Sequence, residues 1–98
     1  MSTIPTLRLA VCLYPELTPL DFVGPAEVFV LLAPKNVKAH AELYPALPSV
    51  QIEPTYFSHN LEPVVGDAGP GFNPQRTYGE VLEKFEQYDL ILVPGGEP

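Results

Sequence analysis

One carboxylate interrupts an otherwise apolar helical pattern in the stretch TPLDFVGPAEVFVLL, residues 18–32. If this stretch forms one helix, Asp21 shares a face with Pro25 and Val28, because residues four and seven positions apart return to the same side. A carboxylate held there, just after a predicted strand, can act as a general acid or base. Helix capping stays open as the alternative, because Asp near a helix N-terminus complements the dipole and accepts from free N–H groups.

The residues around Asp21 predict how this acid is held. Thr18 is placed to cap the helix, with Pro19 at the first helical position, and Asp21 then completes a short-armed capping box. Pro25 has no N–H, so the carbonyl of Asp21 loses its helical partner, and we expect a kink or a break with the helix restarting at Pro25. Thr18, the flexible Gly24 and Pro25 are therefore predicted to support the acid structurally.

A Pro-Gly-Gly turn ends the apolar run YDLILVPGG near the end of the chain. At Gly95 and Gly96 a ligand can approach backbone N–H groups closely, because these residues have no side chain. The carboxyl ends of parallel strands lie on the same side of a sheet, so we expect these glycines and Asp21 to face one region. A plain tight turn is the alternative interpretation.

The other reactive side chains have plainer interpretations. Cys12 lies within a strand pattern, where a cysteine usually packs as a small hydrophobe. His40 and His59 lie in polar loop contexts without a second ligand at metal spacing, so no metal site is predicted. Glu27 lies about 120° from Asp21 on the helical wheel, so the two do not pair on one face, and we expect a solvated or interface role for Glu27.

Strand and helix patterns alternate along the chain. Apolar runs predict strands and periodic runs with capping signals predict helices, in the order strand 7–14, helix 18–32, strand 50–57, helix within 77–88 and strand within 88–96. This order indicates the α/β fold class, with a doubly wound, mostly parallel sheet whose sites form at the carboxyl ends of the strands.

Local signals add detail to this pattern. Pro54 cannot donate to a strand ladder and therefore points to a sheet edge or a bulge. Thr77 and Glu80 have the spacing of a capping box. Prolines break residues 33–49 into loop with one helical turn around VKAHAEL, and residues 63–74 are dense in turn residues.

Charge and composition exclude several kinds of partner. The 98 residues carry a formal net charge of −7 with only five Lys and Arg, which argues against nucleic acid and anionic membrane surfaces, because both need clustered positive charge. The single cysteine cannot form an internal disulfide, and the N-terminus has no apolar run long enough for a signal peptide or a membrane span. We therefore expect one soluble, cytoplasmic domain.

The motif LYPELTPLDFVGPAEVF together with YDLILVPGG resembles the N-terminal half of the ThiJ/PfpI superfamily, which has a class I glutamine amidotransferase-like fold, in the branch that includes isonitrile hydratases. The resemblance implies a flavodoxin-like α/β sandwich, usually a homodimer, with an acid of the first helix beside a cysteine at a nucleophile elbow. Asp21 matches that acid, and Gly95 and Gly96 match positions near the nucleophile that can donate backbone N–H groups to an oxyanion or substrate pocket. In the hydratases the cysteine thiolate attacks the terminal carbon of an isonitrile, the acid assists proton transfer, and water releases an N-substituted formamide.

The sequence departs from this resemblance at its end. The nucleophile of the family belongs to a strand-turn-helix beyond the Pro-Gly-Gly, and the chain stops at Pro98. Residues 1–98 are therefore predicted to be a partial, truncated ThiJ/PfpI-like domain that lacks the C-terminal half with the nucleophile elbow. Cys12 cannot replace the elbow cysteine, because it lies within a strand rather than on an exposed turn.

Two hypotheses about function follow. The first is a hydratase-like lyase that takes a small-molecule substrate, an isonitrile or another electrophile, without a cofactor, and that is inactive as this 98-residue chain. The second is a non-catalytic accessory or binding protein that self-associates or pairs with a full-length relative through an exposed sheet edge and the first helix. Under both we expect a homo-oligomer, because apolar sheet surface is left uncovered.

Overall fold

A computed structural model describes residues 5–39 and 50–96, and within these residues the chain forms six strands and three helices. In chain order they are β1 (Thr6–Cys12), α1 (Leu20–Val30), α2 (Pro34–Ala39), β2 (Gln51–Ser58), β3 (Val64–Val65), β4 (Gly71–Phe72), β5 (Arg76–Thr77), α3 (Tyr78–Lys84) and β6 (Leu90–Leu92). Within these residues, no helix is both long and apolar enough to cross a membrane.

A four-stranded sheet in the order β5-β2-β1-β6 forms the centre of the fold, and all of its neighbouring strands run parallel. In the register, Leu9 of β1 lies opposite Pro54 of β2 on one side and Leu90 of β6 on the other. The predicted α/β class with a mostly parallel sheet is confirmed. β1 is a central strand and β6 lies at the edge. Because the two strands pair in parallel, their carboxyl ends lie on the same side of the sheet.

Pro54 occupies the kind of edge position that its missing N–H requires. Ile52 donates its N–H to the carbonyl of Leu32, and Tyr56 donates to the side chain of Gln75, so alternate N–H groups of β2 point away from β1. Pro54 lies between these two residues, and β5 pairs only with the last two residues of β2. The proline therefore removes no hydrogen bond from the ladder with β1.

The two faces of the sheet bury different sets of side chains. Alternate residues of β1 point to opposite faces, and Leu9, Val11 and Leu13 face α1, where they are almost fully buried. The core cluster on this face consists of Leu9, Val11, Leu13, Leu17, Phe22, Ile52 and Val64. Ala10 and Cys12 face the opposite side and line a cavity under α3.

The helix α1 runs without interruption through Pro25, so the predicted break and restart at this residue are wrong. The bond that the proline removes belongs to the first helical turn, which other contacts hold in place. Phe22 and Ala26 are buried from this helix, and the ring of Phe22 packs edge-on against Tyr56 and Phe72. Tertiary packing thus outweighs the local preference against proline.

Two further segments differ from the sequence expectation in detail. The helical turn expected around VKAHAEL corresponds in part to α2, and its remainder, with His40, lies outside the described residues. The turn-rich segment 63–74 contains an antiparallel pair, β3 with β4, that the sequence pattern does not predict. Both strands have two residues, which is too short for an alternating pattern to be visible.

The helix α3 begins with the predicted capping box. Thr77 accepts from the N–H of Glu80 at 3.2 Å, and the carboxylate of Glu80 accepts from the N–H of Thr77 at 3.0 Å. The bond from the N–H of Thr77, together with one that the Thr77 hydroxyl donates to the same carboxylate at 3.1 Å, lowers the pKa of Glu80. The helix buries none of its own residues, and Leu82 is 74% exposed. The apolar side chains of this helix are therefore largely uncovered.

Candidate functional site

Asp21 and Gly95 meet at the carboxyl ends of the strands. The backbone N–H of Gly95 donates to Oδ2 of Asp21 at 3.0 Å, across a separation of 74 residues in the sequence. The carboxylate lies on the first turn of α1 and is exposed. The structure thus brings together the two features that the sequence singled out.

Backbone contacts hold the Pro-Gly-Gly turn against the loop before α1. The N–H of Thr18 donates to the carbonyl of Gly95 at 2.7 Å, and Leu17 forms an isolated antiparallel bridge with Gly96. A Cβ atom on Gly96 would lie 2.7 Å from the carbonyl oxygen of Glu16 and 2.8 Å from Cα of Leu17. Only glycine allows this close approach of two backbones.

The predicted capping role of Thr18 is wrong. The cap position is occupied by Pro19, no side chain caps the helix, and the hydroxyl of Thr18 donates to Oδ2 of Asp67 at 3.3 Å. Asp21 does not complete a capping box, because its carboxylate accepts from Gly95 instead. Its negative charge still lies in the first turn of α1, where it complements the dipole.

Gly24 and Pro25 lie within α1, one turn beyond the acid, and both are half-buried. A Cβ atom on Gly24 would meet only the Cδ1 atom of Leu20, at the ordinary contact distance of 3.8 Å. No close backbone contact at the site therefore requires glycine at position 24. A supporting role for the two residues stays a prediction.

The N–H of Gly95, a predicted donor to an oxyanion, already donates to the carboxylate of Asp21. This donor would serve a developing oxyanion only after its bond to Asp21 opened. The role of Gly95 and Gly96 in an oxyanion or substrate pocket stays a prediction.

Tyr14 also lies at this candidate site, although the sequence pattern does not single it out. Its hydroxyl donates to the carbonyl oxygen of Pro94 at 2.5 Å, and the ring packs against the core cluster. A tyrosine at the end of a strand has no pattern that distinguishes it from an ordinary core residue. Its partner lies 80 residues away in the sequence, so only the folded chain reveals the contact.

Glu16, in the loop before α1, has a left-handed backbone with φ of 66°. This conformation is uncommon for a residue other than glycine. The loop is fixed there because the N–H of Glu16 donates to the carbonyl of Val65, and the N–H of Asp67 donates to the carbonyl of Leu17. The hairpin that the sequence did not predict therefore positions the loop that leads to Asp21.

An open cavity of about 370 Å³ lies between α1, Tyr56 of β2 and Phe72 of β4. Its lining includes Phe22, Val23, Glu27, Tyr56 and Phe72. Burial raises the pKa of the Tyr56 hydroxyl, and the negative charge of Glu27 raises it further. Glu27 itself is exposed, which fits the solvated role predicted for it.

Cys12 lies on the other face of the sheet from this cavity and from α1. It is half-buried and lines an apolar cavity of about 240 Å³ with Tyr78 and Leu82. Burial raises the pKa of its thiol, more than a hydrogen bond with Tyr78 lowers it. Burial likewise raises the pKa of the Tyr78 hydroxyl to about 12, and this hydroxyl donates to the carbonyl of Leu13 at 2.8 Å. The thiol is therefore poorly suited to act as a nucleophile.

No set of three or more His, Cys, Asp or Glu side chains within residues 5–39 and 50–96 is arranged to hold a metal ion. His59 is exposed.

Comparison with known proteins supports the fold and a superfamily. No family model matches the sequence, and no curated protein matches it. Among solved structures, the chain is similar to the crystal structure of a ThiJ/PfpI family protein from Pseudomonas syringae, with a TM-score of 0.64 and 25% sequence identity. The match covers 95% of this chain and 30% of that protein. The likeness supports the ThiJ/PfpI superfamily and its flavodoxin-like α/β fold for a chain that spans under a third of its relative.

Proposed function

We propose that this chain carries the acid of an isonitrile hydratase-like site of the ThiJ/PfpI kind, and that the 98-residue polypeptide alone does not catalyse the reaction. The observation that carries the proposal is the contact between Asp21 and Gly95. A carboxylate that only capped α1 would accept from N–H groups of its own helix. Asp21 instead accepts from the turn after β6, at the side of the sheet where parallel α/β folds place their sites.

The proposed reaction adds water to R–N≡C. A thiolate adds to the terminal carbon, that carbon gains a proton to give R–N=CH–S, and water then replaces the thiol to leave R–NH–CHO. Asp21 supplies and removes protons in these steps. Cys12 lies across the sheet from Asp21 and is half-buried, so the proposal takes its thiolate from outside this 98-residue sequence.

The test joins residues 1–98 to the C-terminal half of a ThiJ/PfpI protein and compares Asp21→Asn with Glu27→Gln, a matched change on the same helix. Asn can still accept from Gly95 but cannot exchange a proton. We expect turnover to fall at least about a hundredfold in Asp21→Asn, the loss typical of a positioned acid or base. The midpoint of thermal unfolding should barely change, because the lost dipole interaction is worth only about 0.3–1 kcal/mol.

Glu27→Gln should retain turnover within a few-fold of the parent. The unmodified 98-residue chain should form no formamide above a buffer blank. If Asp21→Asn turns over isonitrile like its parent, or if the 98-residue chain alone forms formamide above the blank, the proposal is wrong.

A second candidate function is a non-catalytic accessory protein that self-associates or pairs with a full-length relative. The observation that favours it is apolar exposure: Phe85, the residue after α3, is 84% exposed, and Ile91, on the edge strand β6, is 71% exposed. Under this proposal the surface around β6 is the binding surface. Activity of the rebuilt protein that depends on Asp21 would favour the enzyme instead.

A further inference from the structure

A continuous hydrogen-bonded path joins Tyr14 to the proposed acid through a single peptide group. The hydroxyl of Tyr14 donates to the carbonyl oxygen of Pro94 at 2.5 Å, and the N–H of the same peptide, which belongs to Gly95, donates to Oδ2 of Asp21 at 3.0 Å. We propose that Tyr14 is a positioning residue that sets the carboxylate of Asp21 through this peptide. Its effect on rate rests on the proposed function, whereas its effect on the peptide does not.

The electronic structure of a peptide couples its two ends. The C–N bond has partial double-bond character, so electron density shifts between the oxygen and the nitrogen of one planar group. A hydroxyl that donates to the oxygen draws density away from the nitrogen and makes the N–H a better donor. Such cooperativity strengthens a bond by about 10–30%, and the acceptor here is a carboxylate, which forms the stronger, charge-assisted kind of bond.

The surroundings hold this peptide in one orientation. Pro94 is buried, and the carbonyl of Gly95 accepts from the N–H of Thr18 at 2.7 Å. Tyr14 follows β1, the central strand, and its ring packs on the core cluster, so the donor is attached to the core of the fold. The path therefore transmits the position of the core to the exposed carboxylate of Asp21.

The two oxygens of the carboxylate are not equivalent. Oδ2 accepts from Gly95, whereas Oδ1 makes no hydrogen bond within the described residues. A proton is exchanged more readily at the oxygen that has no donor facing it. The geometry thus assigns Oδ1 of Asp21 to proton transfer and Oδ2 to anchoring.

The direct test observes the Gly95 amide by nuclear magnetic resonance, with isotopes in residues 1–98, in the chain alone and in the rebuilt protein. Tyr14→Phe removes the hydroxyl and keeps the ring. We expect the Gly95 amide proton to move upfield and to exchange with solvent about 1.3- to 5-fold faster, as for the loss of about 10–30% of one charge-assisted hydrogen bond. The matched control is Tyr88→Phe, since the Tyr88 hydroxyl accepts from Arg8 instead, and it should leave this signal unchanged.

A kinetic readout separates positioning from general structural support. In the rebuilt protein Tyr14→Phe should lower kcat and leave KM unchanged, and in an Asp21→Asn background it should have no further effect, because residues that act in series are not additive. If the rebuilt protein with Tyr14 intact has no hydratase activity, the proposed function fails. The signal of the Gly95 amide still tests the positioning role of Tyr14 in that case.

An unchanged Gly95 amide in a folded Tyr14→Phe variant overturns the proposal. If that variant does not fold, fluorotyrosine replaces tyrosine in the parent, because its more acidic hydroxyl donates a stronger bond. The Gly95 amide proton must then move downfield, and its failure to move overturns the proposal equally.

Discussion

At the scale of single residues, two neighbouring glycines meet different obstacles. A Cβ atom on Gly95 would lie 2.8 Å from Oδ2 of Asp21, the mobile end of a side chain. One on Gly96 would lie as close to the backbone of Glu16 and Leu17, which cannot move away without shifting the loop. Gly95 therefore leaves room for the carboxylate of Asp21, whereas Gly96 allows two loops to pack closely.

We expect Gly96→Ala to destabilise the fold by about 1–3 kcal/mol, the usual cost of overpacking. Gly95→Ala should leave the unfolding midpoint in urea nearly unchanged but turn the carboxylate of Asp21 away, and so lower turnover in the rebuilt protein. Chemical denaturation and formamide formation measure the two effects separately. Equal loss of stability in both variants would contradict this division of roles.

The meeting of Asp21 with Gly95 could be predicted from the sequence because it follows from strand direction alone. Each residue comes just after a strand, and parallel strands end on one side of the sheet. The partner of Thr18 could not be predicted, since the hydroxyl donates to Asp67, 49 residues away on a hairpin too short to leave a pattern. The contact of Tyr14 with Pro94 could not be predicted for the same reason, because tertiary hydrogen bonds leave no local pattern in the sequence.

At the scale of secondary-structure elements, sequence signals predicted the structure correctly where contacts between near neighbours in the sequence determine it. The capping box of Thr77 and Glu80 specifies the start of α3 with side chains three residues apart. The prediction at Pro25 failed because the continuity of α1 depends on burial of Phe22 against residues distant in the sequence. Helices are governed by packing as much as by propensity.

One carboxylate, Glu86, joins two strands of the sheet to the segment after α3. It accepts two bonds from Arg76 of β5, at 2.6 and 2.5 Å, and one from Arg8 of β1 at 3.1 Å, from a position just after α3. The bonds from Arg76 and, to a lesser extent, Arg8 lower the pKa of Glu86 to about 2. This pKa lies below the ordinary 4.5, so the carboxylate contributes stability above about pH 4.5.

We expect Glu86→Gln to lower the thermal midpoint at neutral pH. The difference from the parent should shrink as the pH falls from about 4.5 towards about 2, because the parent carboxylate is then protonated. Glu83→Gln, on the exposed surface of α3, is the matched control and should show little difference at any pH. A gap between Glu86→Gln and the parent that stays constant down to pH 2 would rule out the ionic contribution.

At the scale of the whole molecule, the apolar surface is unevenly covered. The α1 side of β1 is buried, whereas Ile91 of β6, Leu82 of α3 and Phe85, the residue after α3, are exposed. β6 is also the edge of the sheet, with β1 as its only neighbour among the described strands. An apolar edge strand favours pairing with another chain.

We expect the 98-residue chain to self-associate or to be partly unfolded, with a sedimentation coefficient that rises with concentration. Ile91→Glu should reduce association, because it places a charge on this edge. Leu61→Glu, in the loop after β2, is the control and should leave association unchanged. A monodisperse monomer with a cooperative thermal transition would argue against any role of this surface in binding.

The position of β6 also affects the fraction of time during which the contact between Asp21 and Gly95 is formed. β6 is a three-residue strand at the sheet edge, and the turn that reaches Asp21 follows directly from it. Elements with few buried contacts open locally without global unfolding. Fraying of this one strand would release the carboxylate while the rest of the sheet stayed folded, so the lifetime of the Asp21 contact measures the local stability of β6 rather than that of the domain.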